Sequence, residues 1–142
     1  MNEQNYLITH MDQYDLLFSE LEKGFEGRKI IYLIGDLGSG KTSFVKKFFE
    51  YKYEFEGVSS PTFGIINSYN IDENTIYHYD LYRIQKISEL DDIGFYSYLE
   101  INTLHFIEWP EIIPKKIIKP NANINFIEDN NQRIISITYV DE

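Results

Sequence analysis

One run of eight residues, Gly35-Asp36-Leu37-Gly38-Ser39-Gly40-Lys41-Thr42, combines the residue types that hold a polyphosphate. Phosphate oxygens are bound best by several backbone N–H groups that converge on them. Glycines let a chain curl that tightly, because they have no Cβ and accept positive φ. The spacing satisfies G-x-x-x-x-G-K-[ST] completely. In that pattern the lysine reaches the β- and γ-phosphates and the hydroxyl ligates magnesium, the places taken here by Lys41 and Thr42. Ser43 follows, placed for the α-phosphate. The ligand class is a nucleoside triphosphate, ATP or GTP.

Such a loop hydrolyses nothing by itself. It needs a carboxylate on the magnesium side and a group that orients the attacking water. Two acids end apolar runs here: Asp80 after Thr75-Ile76-Tyr77-His78-Tyr79, and Glu108 after Leu104-His105-Phe106-Ile107. Lys41, Asp80 and Glu108 are therefore the candidate catalytic residues, and Thr42, Asp80 and Glu108 the candidate metal ligands. His10, His78 and His105 each stand alone in the chain and read as packing or hydrogen-bonding residues.

The elements around these residues must place them together. Lys29-Ile30-Ile31-Tyr32-Leu33-Ile34 is a short apolar run that reads as a buried strand leading into the glycine loop. Behind the loop, Phe44, Val45, Phe48 and Phe49 recur at helical spacing, so the order is strand, loop, helix, and the helix N-terminus faces the anion. An earlier helix is marked by Tyr14, Leu17, Phe18 and Leu21, ended by Gly24 and Gly27. Strands are predicted over 64–71, 75–81 and 103–109, and two more over 124–127 and 134–140 around the turn Glu128-Asp129-Asn130-Asn131. Ser88-Glu89-Leu90-Asp91-Asp92 carries the capping residue and acids of a helix start. Pro110, Pro114 and Pro120 punctuate a loop or short helix. Strands and helices alternate early and strands dominate late. The expectation is an α/β layered domain whose mixed central sheet, flanked by helices, carries antiparallel strands.

Composition bounds the rest. A chain of 142 residues with 43% hydrophobic content supports one packed domain. There is no cysteine, so disulfides and cysteine-ligated metals are excluded. No segment is apolar for long enough to cross a bilayer, and Met1-Asn2-Glu3-Gln4-Asn5 lacks the basic start of a secretory signal, so a cytoplasmic location is expected. With 13 Lys+Arg against 23 Asp+Glu the net charge is −10, which repels phosphate backbones and argues against strong direct nucleic-acid binding. An acidic surface suits solubility and a basic protein partner.

Further blocks follow the glycine loop in order: Val58-Ser59-Ser60-Pro61-Thr62-Phe63, Tyr77-His78-Tyr79-Asp80-Leu81-Tyr82-Arg83, and Ile107-Glu108-Trp109-Pro110-Glu111. With Gly35-Asp36-Leu37-Gly38, Glu89-Leu90 to Gly94 and Tyr98-Leu99, this closely resembles the TsaE family, bacterial P-loop ATPases of tRNA threonylcarbamoyladenosine formation. The similarity of motifs runs from about Ile30 to Glu111. The resemblance implies a single P-loop ATPase domain over 1–142 that uses ATP and Mg²⁺. It implies work with TsaB and TsaD, which modify the adenosine next to the anticodon, so that tRNA is met only through the complex. By the same resemblance Ser60 and Thr62 lie in a switch-like loop near the γ-phosphate. Asp80 and Glu108 are the acids on the magnesium and water side, Trp109 sits near the nucleotide, and Arg133 touches it from the late strand. Ser39 stands where that family often has alanine.

Two other classes fit the loop. A small-molecule kinase would bring an arginine-rich lid over the transferred group, and only Arg28, Arg83 and Arg133 exist, far apart in sequence. A nucleotide-gated binding module would need occupancy of the loop and no hydrolysis.

Overall fold

The computed structural model describes residues 2–8, 13–23, 27–59 and 65–140. A seven-stranded mixed sheet forms the centre. In chain order its strands are β1 (Asn2–Ile8), β2 (Lys29–Ile34), β3 (Ile66–Ile71), β4 (Asn74–Asp80), β5 (Leu104–Glu108), β6 (Ala122–Asp129) and β7 (Gln132–Tyr139). In space they lie β1-β7-β6-β2-β5-β4-β3. The central four, β6, β2, β5 and β4, are mutually parallel, whereas β3, β7 and β1 pair antiparallel to their neighbours. Parallel strands covered on both faces read as unbroken apolar runs, which accounts for Ile30-Ile31-Tyr32-Leu33 in β2, all buried.

Helices α1 (Gln13–Glu22) and α2 (Lys41–Tyr53) cover one face, and the five-residue helices α3 (Ser88–Asp92) and α4 (Phe95–Leu99) the other. The predicted stripe of α1, Tyr14, Leu17, Phe18 and Leu21, is the buried one. It meets Phe44 and Phe48 of α2 through edge-on rings 5.3 and 5.4 Å from Phe18. Phe44 and Phe48 pack in turn on Phe126 of β6 and Phe106 of β5, also edge-on. Such pairs add roughly 0.5–1.5 kcal/mol each beyond area burial, and here they hold the start of α2 against the sheet. On the opposite face Ile30, Tyr32, Tyr79 and Ile107 receive Leu90, Phe95 and Leu99 of the two short helices. Alternation along β2 thus divides the two cores: Ile31 and Leu33 on one side, Ile30 and Tyr32 on the other.

The sheet departs from the sequence reading in detail. β1 was not predicted. Its sequence, Asn-Glu-Gln-Asn-Tyr-Leu-Ile, is poor in strand formers, and the strand exists because it pairs along its whole length with β7, from Asn2↔Tyr139 to Ile8↔Arg133. β6 and β7 are longer than expected, because Asn130 and Asn131 both take positive φ, at 49° and 65°. Positive φ at both central residues is the two-residue hairpin turn that continues the strand twist, so pairing extends to Asp129↔Gln132. The helix start expected at Ser88 is α3, and a second short helix, α4, follows Gly94, which takes φ 72°. A 3₁₀ turn, Pro110–Ile112, follows β5. Gly24 and the strand start at Gly64 lie outside the described residues. Among the described residues no helix is long and apolar enough to cross a membrane.

Candidate functional site

The site lies where β2, β4 and β5 end together, the edge at which crevices form in open α/β sheets. The glycine loop leaves β2 there and turns directly into α2. Gly38 and Gly40 both take positive φ, at 75° and 104°. Neither angle suits a side chain, and at Gly40 a Cβ would also come within 2.9 Å of the Arg133 guanidinium. Gly35 is enclosed instead: a Cβ there would lie 3.0 Å from the Phe126 carbonyl oxygen and 2.6 Å from Ser39 Oγ. The loop therefore needs glycine for two reasons: backbone angle at Gly38 and Gly40, and close approach at Gly35 and Gly40.

A cleft of about 260 Å³ opens over this loop, lined by Leu37 to Ser43, Asp80, Glu108, Trp109 and Arg133. Lys41 is buried at its floor. Its Nζ donates to the carbonyl oxygens of Gly35 and Asp36 and lies 3.8 Å from the centre of the Trp109 ring. Burial pushes the Lys41 ammonium below its ordinary pKa, while Glu108, Glu111, Asp80 and Asp36 pull it back. A larger concavity of about 340 Å³ lies on the other side of the loop, towards β1, β6 and β7. Among the described residues its lining carries the carboxylates of Glu3 and Asp36 and no cation, so it suits a polyphosphate poorly.

The two strand-end acids meet. Asp80 and Glu108 are register partners on the neighbouring parallel strands β4 and β5. Glu108 is buried, and both its oxygens accept from the Thr42 hydroxyl, at 2.9 Å (Oε2) and 3.2 Å (Oε1). Its Oε2 also lies 2.5 Å from Nε2 of His78, a residue with no exposure. Asp80 is half-buried and accepts from the Tyr82 backbone N–H at 3.0 Å. Burial raises its carboxyl pKa and the Glu108 charge adds to this, whereas the Tyr82 N–H, His78 and Lys41 lower it. One hydroxyl and two carboxyls at one edge form a hard oxygen donor set of the kind magnesium takes.

Trp109 follows Glu108 in left-handed backbone, φ 58°. Such a conformation costs a bulky residue on the order of 1–3 kcal/mol and is retained only where its surroundings impose it. Pro110 next to it starts the 3₁₀ turn, and the indole lies between Lys41 and the Tyr82 ring, whose centroid is 4.9 Å away.

Comparison with known proteins places the chain in a family. The family model described as "Threonylcarbamoyl adenosine biosynthesis protein TsaE" matches residues 8–135. The chain belongs to the TsaE family. Relatives named "tRNA threonylcarbamoyladenosine biosynthesis protein TsaE" include one from Rickettsia conorii, 39% identical over 119 residues, covering 82% of this chain and 67% of that protein. Another, from Rickettsia felis, is 34% identical over 133 residues, covering 92% of this chain and 77% of its own. The crystal structure of YdiB from Bacillus subtilis superposes with a TM-score of 0.67 at 23% identity, over 99% of this chain and 87% of that one, and shares the fold.

Within this TsaE-family chain, Leu37, Gly38, Ser39, Gly40, Lys41, Thr42, Ser43, Asp80, Glu108, Trp109 and Arg133 come together around one cleft. Gly35 and Asp36 stand behind it and contribute the carbonyls that hold Lys41. Arg133 reaches the loop from β7, some ninety residues later in the chain, as its contact with the Gly40 position shows. Ser60 and Thr62 lie outside the described residues. By sequence alone His78 reads only as a packing or hydrogen-bonding residue. Its spacing, two before Asp80 in a strand, was the available signal, because residues i and i+2 share a face.

Proposed function

We propose that this chain is an ATP-binding and slowly hydrolysing accessory subunit for threonylcarbamoyladenosine formation next to the anticodon of tRNA, acting with TsaB and TsaD. The observation that carries the reading is the hydrogen bond from the loop hydroxyl of Thr42 to Glu108, register partner of Asp80. It joins a phosphate loop to a pair of strand-end acids, which a mere binding turn has no need of. Residues 1–142 act in this reading as one P-loop ATPase domain.

The loop amides from Gly38 to Thr42 and the N-terminus of α2 would cradle the phosphates, with Lys41 turning from the Gly35 and Asp36 carbonyls to the β- and γ-phosphates. Thr42, Asp80 and Glu108 would hold Mg²⁺, which when bound spreads the charge that develops on the transferred phosphoryl group. Glu108, fixed from two sides, and Asp80 beside it orient the attacking water. Trp109, with the Tyr82 ring packed on it, lines the cleft, and Arg133 adds positive charge over the loop. Thr62 belongs to the same nucleotide site in this reading. The net charge of −10 argues that tRNA is met through the protein partners rather than held directly.

The test is phosphate release from ATP by the chain alone and with TsaB and TsaD, together with sizing of the mixture. Release is expected to be slow alone and faster in the mixture, with a complex formed, and Lys41→Ala is expected to abolish the response while its circular dichroism is unchanged. Negligible release in both conditions and no complex would overturn the proposal.

A further inference from the structure

We infer that His78 is a positioning residue for Glu108, donating from Nε2 so that the carboxylate faces the Thr42 hydroxyl in one orientation. The inference rests on the reading of Glu108 as the magnesium-side acid. It starts from strand geometry: His78 and Asp80 are i and i+2 in β4, and Phe106 and Glu108 are i and i+2 in β5, with His78↔Phe106 and Asp80↔Glu108 in register. All four side chains therefore lie on the sheet face that carries α2. His78 is thereby placed behind Glu108, on the side away from the cleft mouth. Its Nε2 is 2.5 Å from Oε2, and Thr42 Oγ1 approaches the same oxygen at 2.9 Å from α2. A carboxylate offers only acceptors, so Nε2 carries the proton. The glutamate is then clamped between one donor from the sheet and one from the helix.

The other face of the ring shows that packing does not explain a histidine here. Nδ1 is buried and has no hydrogen-bond partner among the described residues. A buried polar atom left unpaired is destabilising, and leucine or phenylalanine would fill this part of the core without that penalty. The bond that the ring does make goes to Glu108. Partners behind a metal-binding carboxylate fix its orientation, and their loss typically weakens metal binding by about 10–100-fold.

The experiment compares His78→Leu, His78→Asn, His78→Gln and Glu108→Gln by the affinity of the protein–ADP complex for Mn²⁺, read from the free-ion electron paramagnetic resonance signal, and by metal-free ADP affinity from Trp109 fluorescence. Glutamine carries an N–H at the reach of Nε2, whereas asparagine is one methylene too short and leucine has no donor. His78→Leu and His78→Asn are expected to weaken Mn²⁺ binding about 10–100-fold, and His78→Gln to stay within about threefold of wild type, all with metal-free ADP affinity unchanged. If His78→Leu does not fold, the Asn–Gln pair carries the comparison. Unchanged Mn²⁺ affinity in His78→Asn, or equal loss in the Gln and Asn variants, overturns the positioning role. If Glu108→Gln itself leaves Mn²⁺ affinity unchanged, the magnesium-side reading of Glu108 falls and this inference falls with it. If Glu108→Gln weakens Mn²⁺ binding and the His78 variants do not, only the inference fails.

Discussion

Gly40→Ala tests the geometry of the loop most directly. Gly40 sits at φ 104°, ψ 17°, and its missing Cβ leaves room for Arg133, whose Nη1 would stand 2.9 Å and Cζ 3.1 Å from an added methyl. The backbone angle costs alanine roughly 1–3 kcal/mol. The contact adds to it, although a guanidinium at the end of a flexible side chain can retreat. Gly38→Ala separates the two effects, because Gly38 also has positive φ, 75°, but a Cβ there meets nothing within 4 Å. Alanine at Gly38 should lose only the left-handed penalty, about 1–2 kcal/mol. For a chain of this size 1 kcal/mol corresponds to a Tm change of roughly 3–4 °C, so Gly40→Ala should melt about 3–12 °C below wild type and below Gly38→Ala. If the loop instead relaxes to relieve strain, at least one amide turns from the phosphates. Loss of one hydrogen bond to a charged group weakens ATP binding by about 10–100-fold. Thermal denaturation and ATP titration of wild type, both glycine variants and Gly40→Ala/Arg133→Ala provide the measurement. The double variant should regain the contact part of the loss but not the φ part. Wild-type melting and wild-type ATP affinity in Gly40→Ala would refute the reasoning.

Two further outcomes are expected. Glu108→Ala should slow phosphate release with the partners present by about 10²–10³-fold, and if only Asp80→Ala does so, the two acids exchange roles. His105 should make stability fall in mild acid. Burial lowers its pKa from 6.5, with the Ile101 carbonyl opposing and Arg28 adding to the shift. Its Nε2–H donates to the Ile101 carbonyl at 2.9 Å, which leaves Nδ1 to accept from the Tyr79 hydroxyl at 2.7 Å, an acceptor that protonation removes. The unfolded imidazole takes up its proton near pH 6.5 and the folded one only at lower pH. Between those values the unfolded state binds more protons, so this contribution is complete above about pH 6.5 and is lost as pH falls below it. Melting curves of wild type and His105→Gln between pH 7.5 and 5 check this. A wild-type advantage that does not shrink towards pH 5 removes the account.

Local patterns were legible where the chain's own spacing carries the physics. The apolar run Ile30 to Leu33, the glycines and Lys41-Thr42, and the stripe from Phe44 to Phe49 specify strand, loop and helix without reference to anything distant. The acids Asp80 and Glu108 were visible as strand ends for the same reason. β1 was not visible, because a polar edge strand depends on the β7 backbone it pairs with. The helix start at Ser88 was visible, whereas α4 was not, because its start turns on one left-handed glycine.

The sequence by itself therefore determined the groups on offer: a glycine loop, a lysine, a hydroxyl and two carboxyls. Only the tertiary structure decided how they are assembled. Parallel pairing of β4 with β5 sets Asp80 beside Glu108, aromatic packing of α2 brings Thr42 to 2.9 Å from that carboxylate, and the β6–β7 hairpin carries Arg133 back to Gly40. His78 shows the difference most plainly. Its ring is one of three histidines in the sequence, and its bond to Glu108 exists because sheet register places positions thirty residues apart on one face.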